Sequence, residues 1–255
     1  MPDRLPLSVL LITRNEADRL ERLLPALAFV SEVVVVDDHS QDATVAVAER
    51  HGARVHTRVL DGFGAQRQFA LDHCTQPWVL WIDADERLDA RAVSSITEIA
   101  NVLTPAPGRA FAFTRHTWFL GRQIRWCGWR GERVTRLFTR ANARFDDAPV
   151  HERVLIDGPV ATLPGVIEHF SYETWNDCRT KLIQYARAGA EARRRAGRRG
   201  SIAGVAFRPL ARFVRMYVLQ FGVLDGAHGF AVCALAAAQV FLREMELWAD
   251  PSTSR

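Results

Sequence analysis

The sequence predicts an α/β fold: a mixed, Rossmann-like sheet with crossover helices, followed by a helical carboxy-terminal region. Strand-like and helix-like segments alternate four times before Gly108, which is typical of parallel strands joined by helical crossovers. Polar residues directly follow the apolar strand-like runs. Residues 176–250 then have a helical pattern. We therefore expect one sheet-based unit with an appended helical segment.

The first four predicted strands are the apolar runs at residues 8–12, 32–36, 53–57 and 78–82. Four successive valines in the second run suit a sheet that is buried on both faces. The predicted helices contain leucines 20, 23, 24 and 27 with an interruption at Pro25, residues 43–50, residues 65–74, and a face made of Val93, Ile96, Ile99 and Ala100. In this topology the carboxyl ends of the strands line one sheet edge, where ligands bind.

Polar and acidic residues occur where these strands end. Thr13-Arg14-Asn15-Glu16 follows the first run, Asp37 and Asp38 follow the second, and Asp83-Ala84-Asp85 follows the fourth. A single Asp-x-Asp triplet is a common chance occurrence, but its position after a buried strand favours a functional role. Carboxylates placed there can hold a divalent cation against a phosphate group.

The segment after Gly108 has a different composition, with aromatic and arginine-rich extended stretches. The predicted strands are residues 110–118, 133–138, 150–156 and 166–172, and we expect them to be antiparallel or mixed. Trp118, Trp126 and Trp129 fit two interpretations equally well. They could anchor loops in the core, or they could form platforms for a sugar acceptor.

The carboxy-terminal region concentrates positive charge. Residues 179–215 contain 11 Arg or Lys residues and one acid, Glu191, in a chain of net charge +4. A solvated helix face, a nucleic-acid-binding arm and a membrane-surface patch are all compatible with such a run. Apolar helices follow it, rather than interleaved stacking aromatics, so membrane contact is favoured over nucleic acid.

Two apolar helices are predicted behind this basic run. The first has a wide apolar face formed by Leu210, Phe213, Val214, Tyr217, Val218, Phe221 and Leu224. Residues 225–229 are interpreted as a turn, and residues 230–242 as a second helix of 13 residues. Because spanning a bilayer takes about 20 residues, we expect an in-plane membrane hairpin. A helical subdomain packed on the catalytic domain is the alternative.

The amino-terminal residues do not suggest secretion, and the cysteines do not suggest a metal-thiolate site. The first residues lack a basic region followed by a long apolar run, so we expect no signal peptide and a cytosolic amino-terminal part. The four cysteines lie about fifty residues apart, which matches neither a zinc site nor a disulfide framework. Reduced thiols are expected.

Four segments in order resemble the motifs of family 2 inverting glycosyltransferases with the GT-A fold: residues 11–16 (LITRNE), 35–44 (VVDDHSQDAT), 62–67 (GFGAQR) and 83–85 (DAD). Further segments resemble the subgroup that builds bacterial lipopolysaccharide core, including heptose-directed β-glucosyltransferases: residues 119–122, Trp129, residues 136–138 and 150–153, and the carboxy-terminal helices. The sequence departs from the family pattern at His39, where glycine is usual, and at Gln41, where threonine is usual.

The resemblance implies a nucleotide-sugar site with a metal ion. Thr13, Asn15, Glu16 and Asp38 would surround the nucleoside, and Arg67 would approach the base or the diphosphate. Asp83 would contact the ribose or the metal, and Asp85 would bind the cation, which is Mg²⁺ or Mn²⁺. His169 could complete the metal shell, although a lone histidine is more often structural. The implied donor is a UDP-sugar.

Inverting transfer also needs a general base beside the acceptor hydroxyl. Glu152 is the first candidate for this role, and Asp147 or Asp146 is the reserve. The resemblance implies transfer of a hexose, glucose, to a lipopolysaccharide core or other glycolipid acceptor. The enzyme would then be peripheral on the cytoplasmic face of the bacterial inner membrane, in contact with anionic lipid and not with nucleic acid.

The resulting expectation is a catalytic domain over residues 1–175, with a nucleotide-sugar half (1–108) and an acceptor half (109–175), followed by basic amphipathic helices over 176–255. Two other functions remain open at this point. A sugar-phosphate nucleotidyltransferase would share the crevice and metal, but the sequence lacks a Gly-rich triphosphate loop with Lys. A basic membrane- or nucleic-acid-binding module without catalysis is motivated only by the arginine run.

Overall fold

The computed structural model describes residues 4–146 and 153–249, which form two compact units. The first unit contains residues up to 115 together with residues 133–169. The second contains residues 116–132 together with the residues from 170 onwards.

The amino-terminal part of the first unit alternates strands and helices as the sequence predicts. Its elements are β1 (Leu5–Thr13), α1 (Ala17–Leu23), β2 (Val30–Asp37), α2 (Thr44–Arg50), β3 (Arg54–Thr57), α3 (Phe63–His73), β4 (Trp78–Trp81), β5 (Glu86–Leu88) and α4 (Ala90–Val102). Pro25 interrupts the first helix, as expected. A short 3-10 turn at Leu24–Leu27 therefore replaces the last part of that helix.

Four strands of this unit are parallel, and three of them, β1, β2 and β4, are mainly buried whereas β3 is not. β1 pairs with β2 and with β4, and β2 pairs with β3. In this register Thr13 lies beside Asp37, and Leu10 lies beside Trp81. Successive residues of β1, from Val9 to Leu11, are fully buried, so both sheet faces are covered. The run of valines in β2 therefore packs into two apolar clusters, one on each face.

The later strands are antiparallel. They are β6 (Ala110–Phe119), β7 (Arg122–Ile124), β8 (Arg133–Thr139), β9 (Arg144–Phe145), β10 (Val154–Leu155) and β11 (Val160–Tyr172). β8 pairs antiparallel with β4 and with β6, and β11 pairs antiparallel with β5. The sheet order is β3-β2-β1-β4-β8-β6-β11-β5, with β7 attached to β6. The predicted change from parallel to antiparallel pairing, and the α/β fold class, are confirmed.

The second unit is mainly helical. It contains α5 (Trp175–Arg195), α6 (Ile202–Val214), a π-helical turn at Arg215–Leu219, a 3-10 turn at Gly222–Asp225, and α7 (Gly226–Trp248). Its core is formed by Phe119, Ile124, Cys127, Cys178, Met216, Val232 and Cys233. The four cysteines of the chain are free and buried, in agreement with the expected reduced thiols.

The division of the chain differs from the expected boundary at residue 175, because residues 116–132 belong to the helical unit. The backbone N–H groups of Arg125 and Trp126 donate to the carboxylate of Asp225 at 3.1 and 2.8 Å. The N–H of Cys127 donates to the carbonyl of Gln220 at 3.1 Å. These contacts join segments that lie about a hundred residues apart, which a pattern of local hydrophobicity does not reveal.

The last helix is longer than the sequence predicts. A turn was expected at residues 225–229 with a helix of 13 residues after it, but α7 begins at Gly226 and has 23 residues. Within residues 4–146 and 153–249, the segment Gly222–Trp248 alone is long and apolar enough to cross a membrane, and 28% of its most apolar window is buried. The argument that this helix is too short to span a bilayer was therefore wrong.

Candidate active site

The carboxyl ends of β1, β2 and β4 bring three loops to one edge of the sheet. The N–H of Asp38 donates to the carbonyl of Thr13 at 2.9 Å, and the N–H of Ile82 donates to the carbonyl of Leu10 at 3.2 Å. The hydroxyl of Thr13 donates to Asp37 at 3.2 Å. The polar residues that follow three separate strands are therefore neighbours in space, as the parallel topology predicts.

The loops after β1 and β2 are tied together by side-chain hydrogen bonds. The N–H of Asn15 donates to the hydroxyl of Ser40, and the side-chain oxygen of Asn15 accepts from the N–H of Gln41, both at 2.8 Å. The N–H of Glu16 donates to Thr44 at 2.8 Å, and its carboxylate pairs with Arg19 at 3.0 Å. Asn15 and Glu16 thus hold the walls of the predicted nucleoside site in place.

Asp38 lies between these loops and the segment that precedes α3. One carboxylate oxygen accepts from the N–H of Leu60 at 3.0 Å, and the other pairs with Arg14 at 2.7 Å. Asp38 is buried, whereas the side chain of Arg14 is 65% exposed. An exposed arginine can move away at little cost in free energy. A hydrogen-bond donor of a bound ligand would then reach this carboxylate.

The neighbouring departure from the family pattern has a backbone explanation. His39 has φ of 49°, in the left-handed region where glycine is favoured. Histidine is among the residues that tolerate this region better than most side chains. His39 therefore adopts the left-handed backbone conformation that glycine would adopt at this position.

Asp83 lies at the centre of a buried charge cluster. Its carboxylate accepts from Arg67 at 3.2 Å and from the indole N–H of Trp81 at 3.2 Å through one oxygen, and from Arg136 at 2.9 Å through the other. Burial alone would raise the pKa of Asp83, but Arg136 and Arg67 outweigh it and lower the pKa to about 2. Asp83 is therefore ionised throughout the physiological pH range.

Trp81 contacts both arginines of this cluster. The guanidinium carbon of Arg67 lies 4.6 Å from the Trp81 ring centroid, and that of Arg136 lies 4.0 Å from it. Such cation–π contacts fix the guanidinium planes in a desolvated site. Arg67 thus lies beside the Asp-x-Asp turn, and its approach to the base or the diphosphate stays a prediction.

Asp85 and His169 are brought together by strand pairing. The backbone of His169 in β11 lies opposite Glu86 in β5, and this register places the Nε2 of His169 3.4 Å from a carboxylate oxygen of Asp85. The Nδ1 of His169 is buried and has no hydrogen-bond partner within residues 4–146 and 153–249. The predicted partnership of Asp85 with a histidine that is distant in sequence is thus geometrically possible.

These residues fit a divalent cation that shares its shell with a ligand. Carboxylate oxygens and an imidazole nitrogen suit Mn²⁺ or Mg²⁺. No group of three or more His, Cys, Asp or Glu side chains in the part of the chain that the structure describes is arranged to hold a metal alone. A cation at Asp85 would therefore need phosphate oxygens or water to complete its coordination.

The candidate general bases lie elsewhere in the chain. Glu152 and Asp147 fall outside the described residues, so both stay predictions. The reserve candidate Asp146 is described, and its carboxylate accepts from the N–H of Arg153 at 2.8 Å. Asp146 thus binds the backbone of Arg153, the residue that follows the segment with both candidates.

The three tryptophans of the acceptor half pack against other side chains of the second unit. Trp118 stacks on Phe170 and Trp129 stacks on Tyr172, with interplanar angles of 20° and 5°. The Trp126 ring lies 5.7 Å from Phe221. This packing supports the interpretation of the three rings as anchors of the second unit.

Two residues of the charge cluster had no role in the sequence-based prediction. Arg136 is buried in β8. A buried arginine within an apolar strand indicates that a charged partner must be close. Glu86 follows the Asp-x-Asp triplet directly and is fully buried. Its neighbours Asp85, Arg87 and Asp89 are charged, so local hydrophobicity does not mark Glu86 as buried.

A comparison with protein families matches residues 8–154, more than half of the chain, to the glycosyl transferase family 2 domain. A curated relative, the lipopolysaccharide core biosynthesis glycosyltransferase LpsC of Rhizobium meliloti (strain 1021), is 29% identical over 255 residues. This alignment covers 97% of this chain and 94% of LpsC.

Two solved structures are also similar to the chain. S. aureus TarS 1–349 has a TM-score of 0.42 at 14% identity, covering 94% of this chain and 90% of that one. Glucosyl-3-phosphoglycerate synthase from Mycobacterium tuberculosis, in complex with Mn²⁺, UDP and glucosyl-3-phosphoglycerate, has a TM-score of 0.35 at 23% identity, covering 44% of each chain.

The family match includes the loops after β1, β2 and β4 and the Asp83-Ala84-Asp85 turn. It decides against a nucleotidyltransferase and against a binding module without catalysis. The chain is a glycosyltransferase and belongs to glycosyl transferase family 2.

Proposed function

We propose that this enzyme transfers glucose from UDP-glucose to a hydroxyl of a lipopolysaccharide core acceptor, by a metal-dependent single displacement that inverts the anomeric carbon. One observation carries the proposal: Asp83 and Asp85 of the turn after β4, Arg67 of α3 and His169 of β11 lie together at the carboxyl edge of the parallel strands. The relative from R. meliloti, whose name gives lipopolysaccharide core biosynthesis, supports the acceptor class.

The donor site is proposed from the residues around the first two loops. Thr13 and Asp38, with the backbone held by Asn15 and Glu16, would surround the nucleoside. Carboxylate oxygens accept hydrogen bonds from ribose hydroxyls and from the uracil N–H, so an acidic pocket suits uridine. Arg67 pairs with Asp83 and would meet the diphosphate.

Asp85 and His169 are the proposed protein ligands of Mn²⁺ or Mg²⁺, with Asp83 beside them for the ribose or the cation. A bound divalent cation would neutralise the charge that develops on the departing diphosphate. Asp83 stays ionised because Arg136 and Arg67 hold its pKa low, so the turn presents carboxylates to the donor across the working pH range. Glu152 is the proposed base, with Asp147 in reserve.

The donor assignment is tested by calorimetry with UDP, GDP, ADP and CMP in the presence of Mn²⁺. We expect UDP to bind at least about tenfold more tightly than the other nucleotides, since the acidic pocket offers acceptors to the uracil N–H. EDTA should weaken UDP binding, because the cation links the diphosphate to Asp85. Tight binding of GDP or ADP with no binding of UDP would contradict the donor.

The proposal places the enzyme on the cytoplasmic face of the inner membrane, where its second unit contacts anionic lipid. Support comes from a group of exposed apolar side chains on α6 and the two turns after it: Ile202, Phe207, Leu210, Val214, Val218, Leu219, Phe221, Val223 and Leu224. Soluble proteins rarely leave this many large apolar side chains close together in water. Arg212 and Arg215, also exposed, alternate with them.

The charge of this surface favours an anionic bilayer. Each arginine near an anionic membrane contributes about 1 kcal/mol, and burial of apolar side chains adds to that attraction. Phe213 and Tyr217 pack against the core of the second unit instead, so the apolar face predicted from the sequence is divided between core and surface. The proposed contact is thus α6 with the following turns, in place of a hairpin of two short helices.

Vesicle flotation tests this surface. Leu210→Glu with Val218→Glu should reduce binding to phosphatidylglycerol vesicles about tenfold or more, because two charges would have to enter the interface. Val102→Glu is the matched control, since Val102 is 73% exposed in the first unit. High salt should release the wild-type protein partly and detergent fully. Equal loss in the control, or full binding by the double variant, would contradict this surface.

A further inference from the structure

Glu86 is a buried acid next to the candidate metal ligand Asp85, yet it cannot touch the donor. It is fully buried, whereas Asp83 and Asp85 retain side-chain exposures of 26% and 14%. A carboxylate kept in the interior requires compensating partners, because burial of an unpaired charge is strongly unfavourable. The identity of those partners indicates what Glu86 does.

The first partner is the backbone of Asp83. One carboxylate oxygen of Glu86 accepts from the N–H of Asp83 at 3.1 Å, and the N–H of Glu86 donates to the carbonyl of Asp83 at 2.9 Å. Glu86 therefore binds both polar backbone groups of Asp83. Glu86 thus closes the Asp83-Ala84-Asp85 turn through two hydrogen bonds to the first residue of the turn.

The second partner is Arg136. One of its terminal nitrogens donates to Glu86 at 2.6 Å and to Asp83 at 2.9 Å, so it bridges the two carboxylates. Burial alone would lower the pKa of Arg136, but Glu86 and Asp83 outweigh it and raise that pKa. The guanidinium also rests on the Trp81 ring at 4.0 Å. Arg136 is thus held from several sides and offers a rigid support to both acids.

The third connection runs through the sheet. Glu86 lies opposite His169 in the β5–β11 pair, and this register sets the 3.4 Å contact between His169 and Asp85. The same residue therefore fixes the turn on one side and the histidine strand on the other. A shift of Glu86 would move Asp83, Asp85 and His169 relative to one another.

We infer that Glu86, supported by Arg136, is a positioning residue that holds the Asp83-Ala84-Asp85 turn and His169 in the geometry needed to bind a divalent cation together with a nucleotide diphosphate. This inference rests on the proposed function, because it assumes the metal-nucleotide site at that turn. Supporting residues around a metal site commonly change metal affinity or activity by about 10- to 100-fold when they are replaced.

The test compares Glu86→Gln with wild type and with Glu98→Gln, an exposed glutamate on α4. Calorimetry measures the Kd of UDP, GDP, ADP and CMP with Mn²⁺ and with EDTA, below the melting temperature of each variant. The tightening produced by Mn²⁺ is the ratio of the Kd in EDTA to the Kd with Mn²⁺. In Glu86→Gln we expect this ratio to fall about 10- to 100-fold, while the Kd in EDTA changes less than about threefold. Glu98→Gln should match wild type.

A purely structural role would lower the melting temperature of Glu86→Gln and leave the Mn²⁺-dependent tightening unchanged, which would overturn the inference.

If Glu86→Gln does not fold, Arg136→Lys takes its place. Lysine keeps the charge but loses the planar contact with Trp81, so the same fall in Mn²⁺ dependence is expected. Wild-type tightening in folded Arg136→Lys would overturn the inference. Absence of Mn²⁺-dependent binding of any nucleotide by wild type would instead overturn the proposed function, and the inference with it.

Discussion

Replacement of Asp85 by alanine is expected to abolish glycosyl transfer and the metal dependence of nucleotide binding. Asp85 is the proposed carboxylate ligand, and its partner His169 alone offers only one nitrogen. A metal ion contributes several kcal/mol to stabilisation of a departing phosphate, and each 1.36 kcal/mol is a tenfold change in rate. The rate should therefore fall by about 10³-fold or more.

The fold should survive this change, because Asp85 lies at the sheet edge and the backbone bond from Glu86 to Asp83 that closes the turn is retained. Asp72→Ala is a suitable control, since Asp72 is exposed on α3, where its carboxylate accepts from the side-chain amide of Gln68 at 2.8 Å. Initial rates and UDP affinity with Mn²⁺ or EDTA are the measurements. An Asp85→Ala enzyme with wild-type Mn²⁺-dependent binding would contradict the assigned ligand.

Replacement of Glu152 by glutamine should act on the chemical step alone. Loss of a general base slows the reaction by about 10²- to 10⁴-fold, whereas the donor site is made of other residues and should keep its affinity. The expected result is a large fall in kcat with an unchanged Kd for UDP. Steady-state rates and calorimetry on the same preparation separate the two quantities.

Asp147→Asn is the comparison for this variant, because Asp147 is the reserve candidate for the base. If Glu152 is the base, Asp147→Asn should retain most of the activity. An active Glu152→Gln enzyme together with an inactive Asp147→Asn enzyme would reverse the assignment. A Glu152→Gln enzyme that loses UDP affinity would show a role in donor binding instead.

Local sequence patterns were sufficient for the parallel half of the fold. The valines of β2 and the apolar run of β4 carry β-branched or bulky residues that suit a doubly covered sheet, and both strands formed. Because parallel strands share their carboxyl edge, the same patterns place Thr13, Asp38 and Asp83 at one edge of the sheet, which the strand register agrees with. The resemblance to family motifs added His169, whose contact with Asp85 depends on strand pairing across the chain.

The roles of Arg136 and Glu86 required information that local patterns do not contain. Arg136 meets Asp83 only because β8 pairs antiparallel with β4, at a register of Leu80 with Leu137. That pairing joins segments more than fifty residues apart, with β5, α4, β6 and β7 between them. The sequence shows a charged residue in an apolar strand, but the identity of its partner follows from the fold.

The length of α7 was missed because its glycines were interpreted as a turn. A Cβ at Gly229 would lie 2.0 Å from the carbonyl oxygen of Gly222, so this glycine allows close packing within the second unit while the helix continues. Glycine in a sequence indicates either a turn or a close approach of two segments. Only the tertiary structure decides between them.

The most direct measurement of the proposed reaction is NMR of the product formed from UDP-glucose and a purified lipopolysaccharide core acceptor. With Mn²⁺ present, we expect one glucose joined to the acceptor in the β configuration, since a single displacement inverts the α-linked donor. The same mixture with EDTA should give little product, because the proposed ligands Asp85 and His169 would hold the diphosphate only through the cation. An α-linked product, or equal transfer in EDTA, would contradict the account.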